Sequence, residues 1–367
     1  MTHHRNWRPH HVEPRQETVR VIQAVKNFAA ISGVCHIGLG VTATNNMKVL
    51  RSAGINCESW AAQTAQELWQ KLEADEGSCA AHGITPVSHV IISSPAWVQP
   101  TDFKRLCLRW PHIQFVQLSH SGCAFLSIDK YGIRNIRECI GLSLELHNLK
   151  VAANNTRVVD WFMKGLGDND TVYLPNLYDC SSFVMNYPRN RNFSDTLRIG
   201  SFGAGRPWKN QLTAAEAAVQ LARQLGVKLE LYVNSKRPDG GERMIESRKE
   251  LFHNMRGCSL VEVPWESWAT FRQTCGQMHI LFQPSFDETF NVVTADGIAA
   301  GVASVTAPSI EWTPRNWWCE PCDPGSMVRT ALHLLHDEYA VDDAREQLMQ
   351  YVDRGLVAWK QFLFEGR

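Results

Sequence analysis

No stretch of about 18 consecutive apolar residues occurs in the 367-residue chain, so a membrane-spanning helix is not expected. Neither sign of charge is in excess. Lys+Arg and Asp+Glu both number 37, so no global field draws the protein to nucleic acid or to an anionic membrane. A local basic groove stays compatible with that balance. The N-terminus has no apolar core of a secretory signal. The eleven cysteines are odd in number and scattered, which argues against a disulfide framework and for free thiols in a reducing cytosol. A cytoplasmic location is the expectation. Cys319 and Cys322 form a lone CxxC with no second pair and no spaced histidines, which reads as a loop coincidence rather than a zinc site. There is no repeat at a period of roughly 20–50 residues and no low-complexity tract. The first twenty residues (MTHHRNWRPHHVEPRQETVR) are basic and histidine-rich and read as a frayed terminus.

What is present describes a soluble globular protein: 44% hydrophobic and 20% charged residues. The length exceeds one ordinary core and predicts two domains of about 150–200 residues. Apolar runs alternate with helix-length amphipathic stretches, the pattern of open parallel sheets. VCHIGLG (34–40), HVIISS (89–94), IQFVQL (113–118) and LKVAANN (149–155) read as strands, with helices over 61–74 and 101–110. The pattern restarts with LRIGSFG (197–203), a helix over 211–226 closed by glycine, LELYVN (229–234), a helix near 242–255, SLVEV (259–263), a helix near 265–277 and HILFQPS (279–285). The polar stretch at 185–196 is the expected linker, and the last amphipathic helix, near 340–364, packs on either domain. The expected division is 1–190, 191–345 and a C-terminal helix at 346–367 that packs back on the N-terminal domain.

Two stretches carry the chemistry. QPSFDETFNVVTADGIAAG (283–301) places Glu288 and Asp296 eight positions apart across a strand-to-helix turn. In parallel sheets, ligands sit beyond the C-terminal strand ends. A helix starting near Asn291 would aim the N–H groups around Phe290 to Val293 at such a ligand and attract anions. The competing reading is that Asp287 or Glu288 merely caps that helix. AGRPWKNQ follows LRIGSFG directly and sets Arg206 and Lys209 on a glycine-bearing loop, a fork and a point charge suited to a diphosphate.

QPSFDETFNVVTADGIAAG resembles the Glu-x7-Glu element of retaining glycosyltransferases of family four, usually PSxxEGFGxxxxEAMAxG. Glu288 matches the first acid, Phe290 the aromatic, Asp296 the second acid and Gly301 the closing glycine. GAGRPWKNQ is similar to the family's Gly-Arg…Lys loop, and VYLPNLYD (172–179) to its xxPNGVD turn. The resemblance implies a GT-B fold: two Rossmann-like, doubly wound α/β domains facing across a cleft, with the N-terminal one on the acceptor side and the C-terminal one holding a nucleotide-diphosphate sugar. It implies that Arg206, Lys209 and the loop at Gly205 hold the diphosphate, Glu288 the sugar hydroxyls and Asp296 the ribose. Backbone at Phe290, Asn291 and Val292 would touch sugar and phosphate. VQLSHSG (116–122) looks like the family's strand-end histidine, making His120 a group near the sugar, and GLGVT is similar to its first glycine loop, with Gly38 and Gly40 facing acceptor and phosphate. The departures are Asp296 for Glu, one methylene shorter, Thr289 and Asn291 where glycines are common, and Val302 for a frequent proline.

The activity so implied is retaining transfer of a hexose, from a UDP-linked donor such as UDP-glucose, to an unidentified acceptor. Fixed cations and helix-start N–H groups would stabilise the charge on the leaving diphosphate, so neither a cofactor nor a metal is required. The DND at 168–170 reads as a solvated loop rather than a metal-binding DxD. Two alternatives stand beside it. One is transfer to hydroxymethylated DNA bases, suggested by 13 tryptophans and by arginines near 186–191 and in the N-terminal tail. The other is a catalytically silent nucleotide-sugar-binding protein. An epimerase of related architecture would need more acid and base groups than the sequence offers.

Overall fold

The computed structural model describes residues 19–27, 38–93, 97–129, 131–168, 170–187 and 195–365. The chain forms two compact units, Met1–Asp179 with Val352–Arg367, and Cys180–Tyr351. The first is built from β1 (Arg20–Lys26), α1 (Gly38–Ser52), β2 (Asn56–Ala62), α2 (Ala65–His82), β3 (His89–Ser93), α3 (Pro100–Arg109), β4 (Gln114–Ser119), the short α4 (Cys123–Leu126), α5 (Gly132–Glu145), β5 (Leu149–Ala153), α6 (Thr156–Leu166) and β6 (Val172–Tyr173). Its strands are all parallel, in the order β2-β1-β3-β4-β5-β6. Helices on both faces leave no solvated side, so β3 and β4 read as nearly unbroken apolar runs. One face carries Ile22, Ala24, Val90, Ile92, Phe115 and Val151, packed on Leu68, Phe103, Leu106, Ile136 and Phe162.

The second unit contains β7 (Thr196–Ser201), α7 (Gln211–Leu225), β8 (Lys228–Val233), α8 (Glu242–Phe252), β9 (Cys258–Glu262), α9 (Trp268–Gly276), β10 (Ile280–Gln283), α10 (Val292–Ala299), β11 (Ser304–Thr306) and α11 (Pro324–His336). These strands are also parallel, in the order β11-β10-β7-β8-β9. The small side chains of α7 let it lie close on the sheet: Ala214, Ala215, Ala217 and Ala218 are all buried. Gly226, at φ 69°, ends that helix in the left-handed conformation that glycine adopts without cost. The long α12 (Ala340–Glu365) begins in this unit, and from Val352 it belongs to the first. There Trp359 is fully buried, and its Nε1 donates to the carbonyl of Pro175 at 2.9 Å. Among the described residues no helix is long and apolar enough to cross a membrane.

Two expectations about the N-terminal sheet fail. The glycines that close VCHIGLG do not end a strand. Residues 38–40 open α1, and 34–37 lie outside the described residues. Among the described residues the first strand is RVIQAVK, β1, whose Arg20 is held by Asp75 at 2.7 and 2.9 Å and by Glu58 at 2.8 Å. A strand starting on an arginine and interrupted by Gln23 breaks the apolar run that marks a central strand, yet every residue of it but Lys26 is buried. β2 was also not anticipated: NCESWAA lies at the sheet edge, so its exposure alternates irregularly, and Ala61 and Ala62, expected in a helix, close the strand. The terminal tail, most of the linker at 188–194 and the middle of DND lie outside the described residues.

Candidate active site

In the second unit, the chain runs from β7 through β8 to β9 on one side, then restarts on the other side with β10. The switch lies between β7 and β10, and at such a point the loops leaving two adjacent strand ends splay apart into a crevice. The loop after β7 is stiffened by the Pro207–Lys209 helical turn and by Asn210 at φ 56°. Two bonds tie it to the loop after β10: Phe286 N–H to the carbonyl of Trp208 at 2.8 Å, and Asn210 Nδ2 to the carbonyl of Pro284 at 3.2 Å. Between these loops the Lys209 ammonium forms an ion pair with Glu288 Oε1. The same oxygen accepts from Ser285 Oγ at 2.9 Å and from Asn291 Nδ2 at 3.1 Å. Three donors on one oxygen fix the carboxylate in place.

Arg206 lies on the same loop as Lys209, and its guanidinium binds Asp239 Oδ2 through Nε at 3.1 Å and Nη2 at 2.9 Å. Arg237 shares that carboxylate oxygen at 3.1 Å. Both Arg237 and Asp239 come from the loop after β8. Two guanidiniums on one carboxylate leave a net positive group beside the Lys209–Glu288 pair. The loops of β7 and β8 touch backbone to backbone: Gly205 N–H donates to the carbonyl of Arg237 at 2.7 Å, and a methyl group on Gly241 would overlap the carbonyl of Gly205. Gly203, at φ 113°, makes the bend that starts the first loop, and its N–H is received by Asn234 Oδ1 at 3.1 Å.

Neither Asp287 nor Glu288 caps α10. The cap is Asn291, at φ 64°, whose Oδ1 accepts from Thr294 N–H at 2.9 Å. That leaves the cap to a residue suited to it: asparagine tolerates the left-handed region and its side chain can cap as well. Phe290 is buried, stacked on Trp312 with ring centroids 5.3 Å apart, and its carbonyl accepts the Trp312 indole N–H. The N–H groups of Val292 and Val293, in the first turn of α10, have no acceptor within the helix. Asp296 is 1% exposed, and its Oδ1 accepts Trp268 Nε1 at 2.8 Å. Gly301 ends the segment at φ 77°, where a side chain would run into Tyr187.

In the first unit His120 follows β4, and its Nε2 lies 3.2 Å from Ser93 Oγ at the end of neighbouring β3. Asn154 and Asn176, joined at 3.1 Å, continue this polar row past the ends of β5 and β6. Burial lowers the His120 pKa to about 4, against a hydrogen bond with Asn176 that raises it, so the ring is neutral at physiological pH and acts as a hydrogen-bonding group. Gly38 and Gly40 sit in the first turn of α1, and a side chain at Gly38 would meet open space. That helix is pinned by Asn46 Oδ1 and Asn45 Oδ1, which accept the N–H groups of Leu177 and Asp179, each at 2.8 Å.

Two parallel α/β units with strand-end loops of this kind match known structures along almost their whole length. The fold is GT-B. Sucrose-phosphate synthase from Thermosynechococcus elongatus aligns over 95% of this chain and 100% of its own, at 15% identity and a TM-score of 0.63. The catalytic domain of starch synthase IV from Arabidopsis thaliana, bound to ADP and acarbose, aligns over 95% and 99%, at 11% identity and a TM-score of 0.64. A UDP-forming trehalose-phosphate synthase from Burkholderia xenovorans, in complex with glucose-6-phosphate, aligns over 94% and 100%, at 8% identity and a TM-score of 0.62. No protein-family profile matches the chain, and no curated protein sequence matches it.

On this GT-B frame the structure brings Lys209, Glu288 and Asn291 into direct contact and sets Arg206 and Gly205 on the adjoining loop. Asp296 is drawn inside against Trp268, and Phe290 is a core residue whose carbonyl is taken. Gly38, Gly40 and His120 belong to the other unit. The sequence reading missed Arg237, Asp239, Ser285 and Trp268. A signal for the first two was present: the PDGG turn that follows the strand LELYV after NSKR marks a loop at the same sheet edge. Nothing local announces Trp268, whose partner lies 28 residues on.

Proposed function

We propose that the protein is a retaining glycosyltransferase that moves a hexose from a nucleoside-diphosphate sugar to an acceptor hydroxyl without a metal ion. The observation that carries this reading is the Lys209–Glu288 pair at the β7/β10 switch, flanked by the Arg206–Asp239–Arg237 cluster. Cations and a fixed carboxylate side by side suit a ligand that is anionic at one end and hydroxylated at the other. Lys209, Arg206 and the first-turn N–H groups of α10 bind the diphosphate, Glu288 accepts from sugar hydroxyls, and Asp296 is assigned to the ribose. The bond between the anomeric carbon and the β-phosphate oxygen breaks, the acceptor oxygen bonds to that carbon from the same face, and the acceptor's proton passes to the departing diphosphate. Charge growing on the departing diphosphate meets dipoles and cations already in place, so little reorganisation is needed. His120 is neutral and contributes hydrogen bonds only.

The names of the aligned structures support a nucleotide donor, with ADP bound in one and UDP formed by another. The donor base and the acceptor are open. A DNA acceptor finds no such support: Trp97, Trp110, Trp312, Trp317 and Trp359 are core residues, and the arginines at 189 and 191 lie outside the described residues. The test is product analysis by NMR, with UDP- and ADP-linked hexoses, a panel of sugar, sugar-phosphate and hydroxymethylated DNA acceptors, and EDTA throughout. Transfer with the donor's anomeric configuration retained supports the reading. An inverted product, or transfer that stops in EDTA and returns with a divalent ion, contradicts it.

A further inference from the structure

Arg248, on α8, is fully buried. Its Nη1 donates to Gln211 Oε1 and its Nη2 to Ser235 Oγ, each at 3.1 Å, and both acceptors are neutral. Its Nε is buried and has no hydrogen-bond partner among the described residues. The carboxylate whose charge it feels is Glu262, and that group is bound by Lys249 at 2.8 Å. Burial lowers the guanidinium pKa to about 10, so the side chain remains a cation at neutral pH. A buried charge with no paired opposite charge is costly, and such a charge keeps a strong field because little solvent screens it.

The two acceptors identify what that charge serves. Gln211 is the first residue of α7, and its Nε2 reaches back to the carbonyl of Gly203 at 3.5 Å, at the bend of the loop that carries Arg206 and Lys209. Ser235 lies in the loop after β8, two residues before Arg237. One guanidinium therefore braces both loops that present cations at the switch point. We propose that Arg248 is the positioning residue of the anion half of this site: a buried cation, hydrogen-bonded to neutral side chains, that fixes the two loops and favours a diphosphate held by them. This rests on the nucleoside-diphosphate reading given above.

The test is calorimetric titration of the full-length protein with UDP, ADP, uridine and adenosine, using wild type, Arg248→Met and Arg248→Lys. Methionine fills similar volume without charge; it removes the cost of a buried cation but also the donors to Gln211 and Ser235, so Arg248→Met is expected to melt close to the wild-type temperature. It should bind the preferred diphosphate about tenfold more weakly while the matching nucleoside is bound as before. Arg248→Lys keeps the charge and should restore most of the diphosphate affinity. Equal weakening of diphosphate and nucleoside would reduce Arg248 to a packing role, and unchanged diphosphate binding would remove it from the site. Should the methionine variant not fold, the lysine variant decides: a loss as large as about tenfold overturns the role of charge. A wild type that binds neither diphosphate overturns the donor-site reading together with this proposal, whereas binding by wild type with an indifferent Arg248→Met overturns this proposal alone.

Discussion

Two residues show what environment does to a side chain that sequence alone identifies only by type. His120 has a folded-state pKa of about 4 against an ordinary 6.5, because burial disfavours the charged ring. The unfolded chain therefore binds a proton between these values that the folded one refuses. The residue's contribution to stability is complete above pH 6.5 and is lost as the pH falls towards 4, by at most about 3 kcal/mol. His120→Gln is expected to flatten the fall in unfolding free energy between pH 7 and 4, measured by urea titration at each pH; parallel curves for variant and wild type would contradict this. Asp296 is the second case. The sequence shows an acid where the Glu-x7-Glu element that it resembles has a longer one, and the structure adds that Trp268 Nε1 holds it at 2.8 Å in a buried setting. Trp268→Phe leaves that carboxylate short of a donor and should cost about 1–3 kcal/mol in chemical denaturation, with a raised KM for the donor. Asp296→Asn keeps an acceptor for the indole and should cost less. A Trp268→Phe protein as stable as wild type would show that the bond carries no weight.

Strands and helices of the second unit were the readable part of the chain, because LRIGSFG, LELYVN and HILFQPS are short apolar runs bounded by glycine, asparagine and proline, and α7 is amphipathic with a terminal glycine. The first unit misled where chemistry imitates pattern. GLG after an apolar run reads as a strand end, but those glycines open a helix, while β1 hides behind its arginine and glutamine. The site was legible as to loops and not as to partners. Glu288, Lys209 and Arg206 stand out as charged residues at strand-to-helix turns, whereas the Asp239 that binds Arg206 is 33 residues away and depends on sheet order. The junction of the β7 and β8 loops makes an element-scale prediction. Gly241 lies against the carbonyl of Gly205, with no room for a methyl group. Gly241→Ala is expected to force these loops apart, lowering stability by about 1–3 kcal/mol and weakening diphosphate binding by more than the fold loss explains. Donor affinity equal to wild type in the folded variant would show that the loops need not meet at Gly205.

At the scale of the whole chain, composition and alternation were enough to expect two parallel α/β units, because helices covering both faces of a sheet demand nearly continuous apolar strands. The place where the last helix changes units was not readable: α12 is amphipathic along its length, and only the fold shows Trp359 buried against Pro175. What the molecule does with these units turns on one carboxylate. Glu288 accepts from Lys209, Ser285 and Asn291 through a single oxygen, and Glu288→Gln keeps the size and an acceptor while removing the charge. The decisive measurement is release of nucleoside diphosphate from UDP- and ADP-linked hexoses in EDTA, by wild type and by Glu288→Gln of matched melting temperature. Release by wild type and a loss of about 100-fold or more in the variant are expected. Equal release by the two proteins would contradict this.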